Sequence, residues 1–291
     1  MSNIEAYRKR ILGHLSAVNS FSQSWEQFEP VVREKLSSNL GQSVFSLGDS
    51  LSEIFRSNMV TGRGQAVVAG AGTVWECLVA WYLNFVFTGT NVIAARQNRL
   101  FVPGTITKAL TVTIANQRTN SESDVIVFCI PDEFNRAPSS SLESLDNIIR
   151  NNLQSVDLSV IQCKTNWNEN SQIPMLWDLI YNSTDFRIPN ISVGIEGFNP
   201  VSFRRFSYAF ATVPTSRGPF TQNKLCVLRV KNLTGGNYWG CSTSAGVASS
   251  IKEFFTRNFP SAFQEGGVES HLQSYFSENV EDYNNYKSLN F

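Results

Sequence analysis

The sequence predicts an α/β protein in which a central mixed sheet of about five strands lies between helices. Apolar, β-branched runs recur through the middle of the chain, and stretches with a helical spacing of apolar residues precede and separate them. The 291 residues are 42% hydrophobic and 16% charged, which provides enough apolar side chain for a sizeable core. One elaborated domain is therefore expected over 1–291, with a helical N-terminal region (1–60), a core (72–197) and an α+β C-terminal region (198–291).

The N-terminal region is predicted to be helical because apolar residues recur at three- and four-residue steps, as at Ile11, Leu15 and Val18. A glycine-rich connection is predicted over 61–72, followed by a helix from Thr73, a suitable N-cap, to Phe85. The connection does not match a dinucleotide-binding turn, since Trp75 stands at the third glycine position and no acidic residue follows about twenty residues later. No nucleotide cofactor is expected.

Later strands are predicted from short apolar or β-branched runs, over 109–115, 124–130, 158–163, 191–196, 205–213 and 225–230. Helices are predicted over 141–153, 173–182 and 247–259, and a polar tail is expected to close the chain. Apart from the first of these helices, the middle of the chain is predicted to run helix, strand, strand, strand, helix, strand.

Composition argues against several kinds of site. The five cysteines include no close pair, so neither a disulfide framework nor a zinc site is expected. His14 and His271 lie near opposite ends of the chain, which argues against a serine–histidine triad or a histidine–metal site. Formal net charge is zero, so binding of nucleic acid would depend on where the charges lie. With no apolar leader and no membrane-spanning run, a cytoplasmic protein without membrane contact is expected.

Four polar side chains stand in apolar surroundings and form the candidate site. Glu76 lies on an otherwise apolar helix and Asp124 opens an apolar strand, so each carboxylate needs a cation or a hydrogen-bond donor. Gln162 and Lys164 end another strand two residues apart, so their side chains share one face while Cys163 points into the core. Oxygen ligands suit a hard cation, and a nearby lysine suits an attacking water.

This layout resembles the PD-(D/E)xK nuclease superfamily, and type II restriction endonucleases in particular, over residues 72–197. The matching residues are Ser123-Asp124 for the first motif, Gln162-Cys163-Lys164 for the acid-x-lysine triplet, and Glu76 for the glutamate that members often carry on the preceding helix. Glutamine replaces the expected acid and brings no charge. The interval between Asp124 and Gln162 is longer than usual because it contains a helix, and Glu122 is the alternative if the register differs.

The resemblance implies Mg²⁺-dependent cleavage of double-stranded DNA at a specific sequence by a homodimer. Asp124 would bind the metal directly, joined by the side-chain oxygen of Gln162 and the carbonyl oxygen of Cys163. Glu76 would bind the metal directly or through water, or hold Lys164, which would orient or help deprotonate the attacking water. Two alternatives stay open: a repair or recombination nuclease of the same superfamily, and a DNA-binding protein with an inactive nuclease core.

Contacts to DNA are expected from arginine and amide side chains, which suit phosphates and base edges. The candidates are Arg63, Arg96, Gln97, Arg99, Asn166, Asn168, Asn170, Arg204 and Arg205. Solvated loops have the same composition, so each of these side chains has a second, purely structural interpretation.

Overall fold

The computed structural model describes residues 1–36, 39–58, 65–120, 123–165, 172–182, 190–213, 223, 228, 238–240, 251–263 and 266–291. Over these ranges the protein has an α/β fold with a five-stranded mixed sheet and a three-stranded sheet, which confirms the predicted class. None of the helices in these ranges combines the length and the apolar character that crossing a membrane requires.

The N-terminal region is helical, as the sequence predicts. Its helices are α1 (Asn3–Ser16), α2 (Asn19–Lys35), α3 (Leu40–Ser46) and α4 (Leu51–Ser57). Ser2 caps α1 by accepting a hydrogen bond from the N–H of Glu5 at 3.2 Å. Arg8 of α1 is fully buried and donates to the carbonyl oxygens of Thr90 and Val92, which ties this helix to the chain that enters the first strand.

The next helix, α5 (Gln65–Val86), begins inside the segment predicted as a glycine-rich connection. The predicted connection and the N-cap at Thr73 are therefore wrong. A glycine destabilises a helix by about 1 kcal/mol relative to alanine, and burial of the apolar residues that follow the glycines outweighs this. The side chains from Val74 onward are almost all fully buried, and Glu76 is a half-buried exception.

The remaining elements follow in chain order as β1 (Val92–Arg96), α6 (Gly104–Leu110), β2 (Val112–Ile114), β3 (Gln117–Thr119), β4 (Val125–Cys129), α7 (Leu142–Asn151), β5 (Asp157–Lys164), α8 (Gln172–Asn182), β6 (Ile191–Val193), β7 (Arg205–Thr212), β8 (Tyr238–Gly240), α9 (Lys252–Asn258), α10 (Gly267–Glu278) and α11 (Val280–Ser288). The large sheet has the strand order β1-β4-β5-β7-β8. β4 is antiparallel to both of its neighbours, whereas β5, β7 and β8 run parallel to one another.

Two strands predicted for the central sheet are shorter than expected and belong to a different sheet. The segment 109–115 holds the end of α6 followed by β2, and the segment 191–196 holds only β6; both strands belong to the small sheet with β3. Their places in the large sheet are taken by β1, which the sequence pattern does not predict, and by β7. β1 has no apolar–polar alternation and two alanines, which are depleted in strands, so its pairing is decided by tertiary contacts.

Helices cover both faces of the large sheet. On one face α5 packs, and Trp75 Nε1 donates to the carbonyl oxygen of Ala211 at 3.1 Å. On the other face α8 packs, and Tyr181 stacks on Tyr208 with ring centroids 5.6 Å apart. Side chains of β5 and β7 alternate between these two layers, so a residue's position along the strand decides which helix it meets.

The C-terminal residues form the helices α10 and α11, not the predicted polar tail. Tyr286 stacks on Phe85 with centroids 4.4 Å apart, and its hydroxyl donates to the carbonyl oxygen of Asn84 at 3.0 Å. Polar residues between the aromatic ones conceal this apolar face in the composition. The helix predicted over 247–259 is confirmed over its described part, α9, whereas the strand predicted over 225–230 lies almost entirely outside the described residues.

Candidate active site

β4 and β5 separate at one end, and the candidate site lies at this fork. The paired residues of their ladder end at Val125 and Ile161, whereas β5 stays paired with β7 to its last residue. Beyond the ladder, the N–H of Cys163 donates to Oδ2 of Asp124 at 2.7 Å. The Asp124 side chain thus replaces the backbone acceptor that a longer β4 would offer.

The backbone carbonyl of Cys163 points into the same fork. In an extended strand the N–H and C=O of one residue face the same edge, and those of the next residue face the opposite edge. In agreement with this, the Lys164 carbonyl accepts from the N–H of Val213 at 2.9 Å on the β7 side. The carbonyl oxygen of Cys163 therefore faces the fork next to the Asp124 carboxylate.

The shift in the pKa of the Cys163 thiol indicates which charged side chains lie near the fork. Burial raises its pKa well above the ordinary value, and the negative charges of Asp124 and Glu76 raise it further. The positive charges of Lys164 and Arg96 act in the opposite direction. The charges of Glu76, Asp124, Lys164 and Arg96 are thus near enough to act on this thiol, and three of the four predicted catalytic residues are among them. By strand alternation the Lys164 side chain itself leaves β5 on the face of Gln162, opposite to that of Cys163.

Glu76 forms an ion pair with Arg96, an arginine predicted from the sequence to contact DNA. Arg96, the last residue of β1, donates from Nε and Nη2 to one oxygen, Oε2, at 3.0 and 2.7 Å. The two side chains are 21% and 23% exposed, so water screens this ion pair only in part. Arg96 therefore neutralises the Glu76 carboxylate.

Gln162 lies apart from these groups. Its side chain is fully buried, and Oε1 accepts a hydrogen bond from the hydroxyl of Tyr208 at 2.7 Å. Tyr208 stacks on Tyr181 of α8, so the Gln162 amide faces the α8 layer, whereas Cys163 and Glu76 meet on the α5 side. Gln162 therefore links β5 to β7, whereas the resemblance implies that it binds the metal.

The donor set at the fork fits a magnesium ion. Asp124 and Glu76 supply carboxylate oxygens and Cys163 supplies a carbonyl oxygen, all of which are hard ligands. Mg²⁺ sites commonly use one or two carboxylates and complete the shell with water and phosphate oxygens. Within the described ranges no three His, Cys, Asp or Glu side chains cluster as metal ligands, but this donor set needs only two of them.

The other predicted DNA contacts are spread over the molecule. Gln97 and Arg99 lie in the segment after β1, beside the fork. Arg204 and Arg205 lie at the opposite end of the sheet, since Arg205 pairs with Asp157, the first residue of β5. The eight residues of β5 separate this end from Lys164 by roughly 25 Å. There Arg204 donates twice to Asp157, each at 2.8 Å. Arg63, Glu122, Asn166, Asn168 and Asn170 lie outside the described residues.

Sequence-based reasoning missed two residues near the α8 face. One is Tyr208, which no motif marks because an aromatic residue in a strand is ordinary core. The other is Asp178 of α8, a buried carboxyl whose pKa is raised to about 7 by its burial, although the amide of Asn182 donates to it at 2.7 Å. The signal for Asp178 was present in the sequence, since it is a single acid in an otherwise apolar helix, as Glu76 is.

Comparison with protein-family models gives no match to this chain, and comparison with curated proteins gives no significant one.

Proposed function

We propose that the protein is a Mg²⁺-dependent endonuclease that hydrolyses phosphodiester bonds of double-stranded DNA at a specific sequence. The observation that carries the proposal is the position of the Asp124 carboxylate beside the backbone of Cys163, where β5 continues beyond β4 and ends at Lys164, with Glu76 close enough for its charge to act on the Cys163 thiol. Two carboxylates, a backbone carbonyl and a lysine are the groups that metal-assisted phosphodiester hydrolysis uses.

The order of elements supports the same proposal. Leaving out the small sheet and α6 and α7, the chain runs α5, β1, β4, β5, α8, β7, which is helix, strand, strand, strand, helix, strand. The strands lie in the sheet in this chain order, with β4 antiparallel to its neighbours. The resemblance to the restriction-endonuclease core therefore rests on β1 and β7, in place of the two strands predicted from sequence.

The residues at the fork have distinct roles in this proposal. Bound Mg²⁺ would supply Lewis-acid activation of the scissile phosphate. Asp124, Glu76 and the carbonyl of Cys163 would hold the ion. Lys164 orients the attacking water and offsets the negative charge that grows on the phosphate. Gln162 keeps β5 in place against β7 through Tyr208, and so positions the strand that carries Lys164.

Cleavage of phage DNA by the purified full-length chain, with and without Mg²⁺, tests the proposal. Discrete fragments that require Mg²⁺ are expected from the natural chain, and a rate at least about 100-fold lower from Lys164→Ala and Asp124→Asn. The control is Lys35→Ala, which removes a surface lysine paired with Glu53 and leaves the rate unchanged. Undiminished cleavage by Lys164→Ala would remove this residue from its role. Preferential cleavage of branched DNA would indicate a repair or recombination nuclease.

A second candidate function is binding of DNA by an inactive core. The observation that favours it is the engagement of Glu76 by Arg96, together with the neutral, hydrogen-bonded Gln162. Both reduce the negative charge that would attract a metal ion. Tight binding of duplex DNA with no cleavage in Mg²⁺ or Mn²⁺ would support this function and contradict the nuclease.

A homodimer that reads a symmetric sequence is part of the proposal, by the same resemblance. Sedimentation of the full-length chain, alone and with duplex DNA, measures its state. A dimer in the complex is expected. A monomeric complex that cleaves both strands at the same rate would contradict this part of the proposal and leave the catalytic site unaffected.

A further inference from the structure

A cleft of about 430 Å³ opens between the segment that follows β1 and the β2–β3 hairpin. Gln97 and Arg99 line one wall, Arg118 and Asn120 the opposite wall, and threonines in and just after α6 lie between them. No acidic side chain is among its described lining residues. The lining is therefore cationic and rich in hydrogen-bonding groups.

The cleft adjoins the fork through Asp124. The N–H of Gln97 donates to the carbonyl oxygen of Asp124 at 3.0 Å, which extends the β1–β4 ladder one residue beyond Arg96. Asn120 precedes Asp124 by four residues, and its carbonyl oxygen accepts from the N–H of Ser123 at 3.3 Å. A ligand in this cleft would therefore lie next to the start of β4, where the Asp124 backbone meets Gln97.

The two arginines of the cleft carry charges that no acidic side chain of the described residues offsets by a salt bridge, unlike Arg96, which is paired with Glu76. Arg99 and Arg118 are exposed, and neither forms a salt bridge with another described residue. Glu196, whose pKa the charge of Arg118 helps to lower, is itself bound to Lys108 at 2.7 Å. The cleft therefore has a local excess of positive charge in a chain whose formal net charge is zero, and would attract phosphate.

The two amides of the cleft have unsatisfied acceptors. Gln97 Oε1 and Asn120 Oδ1 are buried, and neither has a hydrogen-bond partner in the described structure. A buried acceptor without a donor destabilises a protein by about 1–3 kcal/mol, so a ligand that brings a donor is favoured here. Glutamine and asparagine side chains pair with adenine through its amino group and the adjacent ring nitrogen.

We propose that this cleft holds the DNA segment next to the scissile phosphate, with Arg99 and Arg118 on backbone phosphates and Gln97 and Asn120 at the amino-bearing edge of one base. The inference rests on the proposed function, because it takes duplex DNA as the ligand. It adds Arg118 and Asn120 to the DNA contacts and confines them to the end of the sheet that carries Asp124.

Binding of a fluorescent DNA duplex to the full-length chain, with Ca²⁺ in place of Mg²⁺, tests the phosphate contacts. The double variant Arg99→Ala/Arg118→Ala should lose at least about tenfold in affinity and reduce the slope of log affinity against log salt by about 2. The matched control, Arg33→Ala/Arg136→Ala, removes the same charge from exposed positions on α2 and in the segment after β4. It should leave both quantities unchanged.

Selection of bound duplexes from a random-sequence pool tests the base contact. Asn120→Leu keeps the size of the side chain but removes its hydrogen bonds, so it should lose the preference at one base-pair position by about tenfold. Preferences at the other positions should stay. An unchanged sequence preference in Asn120→Leu and in Gln97→Leu would overturn the base contact.

The outcomes separate this inference from the proposed function. If the natural chain does not cleave DNA but the Arg99/Arg118 variant alone loses affinity, the cleft stands as a DNA site and the nuclease proposal fails. If the natural chain cleaves and this variant binds and cleaves as the control does, the cleft is overturned and the nuclease stands. Failure of the natural chain to bind duplex DNA overturns both.

Discussion

Arg96 donates two hydrogen bonds to one oxygen of Glu76, at 3.0 and 2.7 Å, and holds the α5 carboxylate against the end of β1. The pair lies next to the buried thiol of Cys163, around which Asp124 and Lys164 also lie. The charges of Glu76, Asp124, Lys164 and Arg96 sum to zero, so Arg96 opposes the binding of any cation at the fork.

Removing the Arg96 cation should strengthen metal binding. In Arg96→Met the Glu76 carboxylate loses its competing partner, and we expect about tenfold tighter binding of Mg²⁺ to the DNA-free chain, measured by calorimetry. Arg205→Met, at the far end of the sheet, is the control and should bind Mg²⁺ as the natural chain does. Weaker binding by Arg96→Met would mean that Arg96 orients Glu76 for the ion and does not compete with it.

The contact between Tyr208 and Gln162 should stabilise the fold rather than the metal. Tyr208→Phe leaves the buried Gln162 oxygen without this donor, and the free energy of unfolding should fall by about 1–3 kcal/mol in a urea titration. Adding Gln162→Leu removes the oxygen that lost this donor, so the double variant should lose less than the sum of the two single variants. A large loss of Mg²⁺ affinity in Gln162→Leu would instead assign the amide as a metal ligand.

Asp178 should make stability depend on pH. Its folded pKa is raised from 3.8 to about 7 by burial, so between these values the folded state binds more protons than the unfolded state. The free energy of unfolding should therefore fall as pH rises from about 4 to about 7, by roughly 2–4 kcal/mol in total from this group. Asp178→Asn should remove that slope in urea titrations, whereas Asp132→Asn, at an exposed position, should keep it. An equal slope in both variants would contradict the assignment.

Arg204 should matter for stability and not for DNA. It donates twice to Asp157, whose side chain is 3% exposed, at the end of the sheet away from the fork. Arg204→Ala should lower the free energy of unfolding by about 1–3 kcal/mol, because the buried carboxylate loses a partner. Affinity for duplex DNA should not change. A loss of affinity with a smaller salt slope would instead restore Arg204 as a phosphate contact.

The sequence predicted the N-terminal helices, α7, α8 and three strands of the large sheet better than it predicted the order of strands in that sheet. Apolar periodicity correctly indicated the N-terminal helices, and short apolar runs correctly indicated β4, β5 and β7. It could not indicate that β2 and β6 pair with each other in a separate sheet, because their pairing is decided by contacts between segments far apart in sequence. The same reason explains why β1 was not predicted.

The candidate site was predictable where a charge stands in apolar surroundings. Glu76 and Asp124 were found by that rule, and the same rule applied to α8 would have found Asp178. Strand alternation correctly separated Cys163 from Gln162, but the motif could not show that Glu76 lies on the Cys163 side. That depends on which face of the sheet α5 covers, which no local pattern specifies. The pairing of Arg96 with Glu76 follows from the same packing.

We expect Asp124, Glu76 and the carbonyl of Cys163 to hold one divalent ion at the fork between β4 and β5. Anomalous diffraction from crystals of the full-length chain grown with Mn²⁺ would locate this ion. We predict one strong peak at about 2.1–2.3 Å from an Asp124 oxygen and from the Cys163 carbonyl oxygen, with Glu76 released from Arg96. A fork without a peak at saturating Mn²⁺, with Asp124 still accepting from the Cys163 N–H, would contradict this expectation.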